Sequence, residues 1–388
     1  MTDAIHGIQA MRSPGPILPR WLQTVDQWVL ISVFMLFAIG LLLGMAASPT
    51  IAQKVDAGAF TFVFKQAVFG AVALGVMVAI SALPIKHVRR IGFAVFLISF
   101  VGILLLPFLG TGFGKGATRW YSLGFGSIQP SEFLKPGFIL VGAWLLAGSM
   151  QRDGPPGVTL SGALVALIAL LLMLQPDYGQ ASLIVFSWIV MFFVSGAPIL
   201  PLFGIGGALM LVGWVAYSQS EHFAGRIDTY VAGIIEANSQ LDFSMNAMRE
   251  GGLFGVGVAK GSIKYNLPDA HTDFIVAVAA EEYGLLFVLM IVFLFAFISI
   301  RSLVLISAKQ DPFKRLAGAG LAALFGIQAF INIGVSVNLL PAKGMTLPFI
   351  SYGGSSVISV GILLGMLLAM TRSEPMDLPG RKQKFRSV

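Results

Sequence analysis

The 388-residue chain has no cysteine and only four histidines. Disulfides, thiol catalysis, thiolate metal sites and lipid attachment through cysteine are therefore excluded. Charge is almost as scarce: Asp, Glu, Lys and Arg make up 11% of the residues, against about 25% in soluble domains. No stretch has the composition of a separate soluble domain, and no internal repeat supports an inverted-repeat transporter. What the chain has instead is apolar length. Hydrophobic residues reach 56% and mean hydropathy is +0.86, the signature of an integral membrane protein.

A spanning helix needs about 20 apolar residues. Runs of that kind lie near 28–47, 59–83, 91–110, 133–150, 158–175, 180–196, 199–218, 274–300, 314–339 and 355–371. They predict an all-α, polytopic fold of about ten transmembrane helices, with a long extracytoplasmic loop, 219–272, between the seventh and eighth. Residues 1–27 read as a cytoplasmic N-terminal segment, 28–371 as one membrane domain and 372–388 as a basic cytoplasmic tail. The first run starts too far from Met1, and is too long, for a cleaved signal peptide. Fifteen of the twenty-five Lys and Arg residues fall on the side of the two ends, which makes both ends cytoplasmic. The basic groups left for the outer face exceed the usual bias, and an anionic substrate there would account for them.

Asp273 is the last charge before the eighth run. Residue type leaves two readings open, a helix cap or a general base poised by partial desolvation. His271 reads as a hydrogen-bonding partner, because no ligand spacing around it names a metal. Glu281 and Glu282 fall about two turns into the same run, where carboxylates need a partner; Lys65 of the second run is the candidate. Arg119, Lys135 and Lys343 lie in outer segments rich in Gly, Pro and Ser. They read either as snorkelling cations or as a pyrophosphate clamp. Trp120 is a belt aromatic or a sugar platform. Pro130 and Ser131 suit a helix start, with Ser131 as cap, and Glu132 and Lys135 would share a face. A short helix then a glycine-rich turn is expected over 246–257, and a non-helical loop lining a wet cavity over 340–356.

Several of these stretches resemble one family. Leu267-Pro-Asp-Ala-His-Thr-Asp-Phe274, Ala280-Glu-Glu-Tyr-Gly284, Arg119-Trp120, Gln129-Pro-Ser-Glu132, Gln175-Pro-Asp-Tyr-Gly179 and Lys343-Gly-Met-Thr-Leu-Pro-Phe-Ile-Ser-Tyr-Gly-Gly-Ser-Ser356 are similar, in order along the chain, to the SEDS proteins of shape, elongation, division and sporulation. The wording of the last motif favours the division branch over the elongation branch. Tyr178-Gly179-Gln180 and Phe243-Ser-Met-Asn246 depart from the family pattern. The resemblance implies a peptidoglycan glycosyltransferase polymerising lipid II at the outer face of the bacterial inner membrane, at the division septum. It implies Asp273 as the catalytic base, with Arg119, Trp120, Glu132, Lys135, His271, Lys343 and Ser351 toward substrate. It implies a class B penicillin-binding transpeptidase and other divisome membrane proteins as partners, and no nucleic acid. It names no certain cofactor and leaves a divalent cation, Mg or Mn, open. The rival readings are a lipid II flippase and a non-catalytic scaffold that activates the transpeptidase.

Overall fold

The computed structural model describes residues 17–373, except 55–57, 59, 113–117, 123, 125, 152, 199, 220–223, 226, 227, 230, 234, 236, 342 and 343. Every one of the ten apolar runs becomes helical. After a short α1 (Ile17–Thr24) come α2 (Gln27–Lys54), α3 (Thr61–Ala82), α4 (Ile85–Leu109), α5 (Pro130–Ser149), α6 (Gly157–Leu174), α7 (Tyr178–Ser195) and α8 (Leu200–Gln219). Then follow α9 (Gln240–Gly251), α10 (Ile275–Tyr283), α11 (Leu285–Ser307), α12 (Pro312–Ser336) and α13 (Gly354–Thr371). Among the described residues eight helices are long and apolar enough to cross a membrane: α2, α3, α4, α6, α7, α11, α12 and α13. The remaining two runs form 20-residue helices, α5 and α8. The departure from helix is a small antiparallel sheet before α5, made of β1 (Thr111–Gly112), β2 (Thr118–Ser122) and β3 (Ser127–Ile128).

Cross-segment contacts sort into two sets, as alternating spans require. On the side of the described ends, the Trp21 indole donates to Ser81 Oγ at 2.9 Å, and Ser373 N–H donates to the Thr24 carbonyl at 2.9 Å. Arg301 forks onto Asp26 at 2.6 to 3.0 Å. Burial alone would raise the Asp26 carboxyl, but this fork holds it below the ordinary carboxylate range. The other side gathers the outer segments. There Gln66 Nε2 donates to the Ile350 carbonyl at 3.0 Å, and Ser244 Oγ donates to the Ser336 carbonyl at 2.8 Å.

Helices α5, α12 and α13 form the buried centre. In α13, Gly361 and Gly365 lie four apart against the α3 backbone, where a Cβ would press on Ala73 and Met77. Without a hydrophobic force between helices in lipid, such close approach is what binds spans together.

The eighth run is not one helix. It breaks at Gly284, φ +82°, between α10 and α11. The chain after α9 fills the break: Val256 and Gly257 donate to the Glu281 and Glu282 carbonyls at 2.9 and 3.2 Å, and Leu285 donates to Gly252 at 2.9 Å. The helix-then-glycine-turn expectation therefore holds, and the glycines serve close backbone contact. A Cβ on Gly251 would overlap the Ala280 carbonyl. Gly251→Ala should cut the yield of folded protein and lower the thermal unfolding midpoint in detergent, since overpacking costs about 1–3 kcal/mol. Gly204→Ala, at a glycine with open space around it, should leave both unchanged.

Candidate active site

Asp273 sits half-buried in the turn that precedes α10. The N-cap position of α10 belongs to Phe274, one residue later. The turn closes on Asp269, φ +53°, whose carbonyl accepts N–H groups of Thr272, Asp273 and Phe274 at 3.1 to 3.3 Å. Against this turn lies the loop before α13. A Cβ on Gly344 would stand 3.1 Å from Asp273 Oδ2. Ser351 Oγ accepts from Leu347 N–H at 2.8 Å and donates to the Thr272 carbonyl at 2.5 Å. Tyr352 N–H donates to the His271 carbonyl at 2.9 Å. Asn332 of α12 ties the two segments together, its Nδ2 donating to the Asp273 carbonyl at 3.0 Å and the Met345 carbonyl at 2.5 Å.

One turn earlier on α12, Gln328 Nε2 donates to the Thr346 carbonyl at 2.9 Å, and its Oε1 accepts from Lys135 Nζ at 3.1 Å. Lys135 pairs with Glu132 Oε2 at 2.9 Å, and Gln180 of α7 donates to Glu132 Oε1 at 2.5 Å. Lys135 and Glu132 are 2% and 3% exposed. The expected shared face is right, but both sit in a sealed ion pair and not at an open rim. Ser131 is likewise not the cap. Gln129 holds that position without a side-chain capping bond, and Ser131 Oγ reaches Asp177 Oδ2 at 3.5 Å.

Arg119 in β2 donates through Nε to the Gln175 carbonyl at 2.9 Å and through Nη2 to the Pro176 carbonyl at 2.5 Å. It braces the turn that presents Asp177, whose carboxyl accepts from Gln129 Nε2 at 3.1 Å. Burial pushes the Asp177 carboxyl above its usual range, against the pull of Arg119. Trp120 is half-buried beside Arg119. Lys343 lies outside the described residues.

Lys65 is exposed and is not the partner of the deep carboxylates. Glu281 instead accepts the N–H groups of Ile263 and Lys264 at 2.7 and 3.1 Å. Lys264 Nζ pairs with Glu282 Oε1 at 2.5 Å and donates to the Ala46 carbonyl at 2.9 Å. This buried cluster anchors the one-turn 3-10 helix Ile263–Tyr265 that leads into the Asp273 turn. His271 stacks on Tyr352 at 5.5 Å, with Phe62 edge-on to both. Burial lowers its pKa to about 4, so the ring is neutral at ordinary pH, and its Nδ1 is buried without a hydrogen bond among the described residues.

Sequence reasoning missed Gln66 and Gln328 and gave no bonding role to Gln180 and Asn332; these uncharged amides inside apolar helices signal their role by being polar where lipid-like packing is expected. No group of three or more His, Asp or Glu placed to hold a metal occurs among the described residues, so no step is assigned to one.

A family model described as "Cell cycle protein", covering the FtsW, RodA and SpoVE proteins, matches residues 27–375. The chain is 39% identical over 375 residues to the "Probable peptidoglycan glycosyltransferase FtsW" of Caulobacter vibrioides (strain NA1000 / CB15N), covering 96% of this chain and 95% of the relative. It is 32% identical over 396 residues to the protein of the same name from Bacillus subtilis (strain 168), covering 95% and 98%. Among solved structures, it matches a chain from work described as "Structural coordination of polymerization and crosslinking by a peptidoglycan synthase complex" at TM-score 0.73 and 26% identity, covering 89% of this chain and 97% of that one. The crystal structure of the Thermus thermophilus rod shape determining protein RodA matches at TM-score 0.66 and 26% identity, covering 89% and 96%.

Two outcomes test the geometry. Glu281→Gln weakens the anchor of the Ile263–Tyr265 turn and should lower the thermal midpoint, whereas Glu281→Asp should recover part of it. For His271, the unfolded chain takes up protons near pH 6.5 and the folded chain only near 4. The His271 contribution is therefore present above pH 6.5 and lost as pH falls. Thermal unfolding in detergent should show a midpoint dropping from about pH 6.5 to about pH 4, with a shallower drop in His271→Asn.

Proposed function

We propose, on the premise that this chain belongs to the FtsW/RodA/SpoVE family of cell cycle proteins, a reaction scheme for the Asp273 site. The protein is a membrane-embedded peptidoglycan glycosyltransferase. The scheme takes lipid II as substrate at the outer face of the inner membrane, with both termini cytoplasmic. Asp273 removes the proton from the acceptor sugar 4-hydroxyl. That oxygen attacks the anomeric carbon of the growing strand, and the C–O bond to lipid pyrophosphate breaks with inversion, the electron pair leaving with the phosphate. Among the described residues two of the three Arg119 nitrogens are held by carbonyls, and the scheme gives the third to the departing phosphate. Trp120 and His271 flank the sugars, Lys343 adds positive charge, and Glu132, Lys135 and Ser351 fix the floor.

The observation that carries this reading is the Asn332 amide, which binds the carbonyls of both Asp273 and Met345. It fixes the backbone of the residue that carries the carboxylate, as the positioning of a general base requires. The translocation reading loses its motive, because Glu281 and Glu282 are engaged by Lys264 and backbone N–H groups. The likeness to a chain from a polymerising and crosslinking complex supports a class B penicillin-binding transpeptidase as the partner, and the division-branch wording of the motifs supports a place in the divisome at the septum.

Purified Asp273→Asn should bind lipid II yet polymerise it about 10²–10⁴-fold more slowly, the range for losing a general base. Normal polymer length and rate on a gel of labelled glycan strands would remove Asp273 from the mechanism. Asn332→Ala should lower the rate less, with a larger effect on kcat than on KM.

A further inference from the structure

The face of the bundle opposite Asp273 carries a cavity of about 500 Å³ that polymerisation does not use. Lys86 and Arg89 of α4, Trp144 of α5, Gln151, and Asp311 and Phe313 at the start of α12 line it. Helix α4 opens without an acidic residue in its first turn and without a side-chain cap. Its first two turns nevertheless hold Lys86, His87, Arg89 and Arg90. The N-terminus of a helix is its positive end and disfavours cations, so charge and dipole add here. Lys86, Arg89 and Arg90 form no ion pair among the described residues. Asp311 does not neutralise them at close range: its carboxylate is engaged by the N–H groups of Phe313 and Lys314 at 2.9 and 3.3 Å. Arg89 stands 5.8 Å over the Phe313 ring. Trp144 is 44% exposed and meets Phe93 edge-on at 5.5 Å, the placement of an aromatic at the lipid boundary. A basic loop that only set orientation would need charge, not a cavity.

We propose that this cavity binds the phosphate headgroup of an acidic phospholipid from the leaflet on the side of the described ends. Lys86, Arg89 and the first-turn N–H groups of α4 take the phosphate, and the acyl chains leave past Trp144. Helices α5 and α12 frame the cavity and also carry, toward their other ends, Glu132, Lys135, Gln328 and Asn332. Headgroup occupancy thus bears on the helix pair that holds the reaction site.

Native mass spectrometry of the purified full-length protein, titrated with phosphatidylglycerol or with phosphatidylcholine of the same chains, tests this. Wild type should retain phosphatidylglycerol selectively, and Lys86→Gln/Arg89→Gln should lose that retention about tenfold or more. Lys86→Gln alone, at an exposed side chain, should lose part of it, which keeps the test decisive if the double variant folds poorly. The charge-matched tail variant Arg381→Gln/Lys382→Gln should behave as wild type. Undiminished retention in the cavity variants, equal loss in the tail variant, or displacement of the lipid by an equal concentration of inorganic phosphate would each overturn the proposal.

Discussion

Non-helical backbone near the membrane interior has no water to satisfy it, and this constraint organises the molecule around Asp273. The loop before α13 and the turn before α10 leave carbonyls at Thr272, Asp273, Met345, Thr346 and Ile350. Side chains meet each of them: Ser351, Asn332 twice, Gln328 and Gln66. An unpaired buried carbonyl would cost about 1–3 kcal/mol, so the five bonds are conditions for the loop to exist. The same tight fixation lets Phe349 stay at φ +60° while 1% exposed, a conformation that bulky residues avoid.

The buried charges follow the same rule. Glu132 with Lys135, and Glu282 with Lys264, are sealed pairs; Gln180 and Gln328 complete the first, and the Ala46 carbonyl takes a Lys264 proton in the second, where Glu282 Oε2 has no partner among the described residues. A buried pair is weak as a source of stability but severe when half of it is removed. Here one set ties α5, α7 and α12 together beneath the loop before α13, and the other ties α2 and α10 to the Ile263–Tyr265 turn behind the Asp273 turn. Polarity in this protein is spent on geometry.

How much of this was legible depends on the physical cause. Spans follow from apolar length, a local property, so all ten runs appear as helix, with ends that differ by up to seven residues. The break at Gly284 was not visible, because it is imposed by Val256 and Gly257 donating across space. Asp273, His271 and Ser351 were found through motif wording, and the structure brings them to one place. Lys135 was misplaced at a rim because its spacing to Glu132 reveals a shared face and not what covers that face. Lys264 was missed as the partner of Glu282 because pairing depends on which segment folds back over α10. Gln66, Gln328 and Asn332 lack charge and leave no mark in a hydropathy profile.

The Gln66 bond to Ile350 joins residues 284 positions apart, and that separation has a temporal meaning. Gln66 enters with the second span, whereas its acceptor precedes the last. At roughly 5–20 residues per second of synthesis, the amide waits on the order of tens of seconds for a carbonyl that does not yet exist. The Asp273 turn is likewise made before the loop that immobilises it. A nascent or truncated chain therefore holds a carboxylate but no assembled mouth, and the final helix to be inserted switches the site from absent to complete.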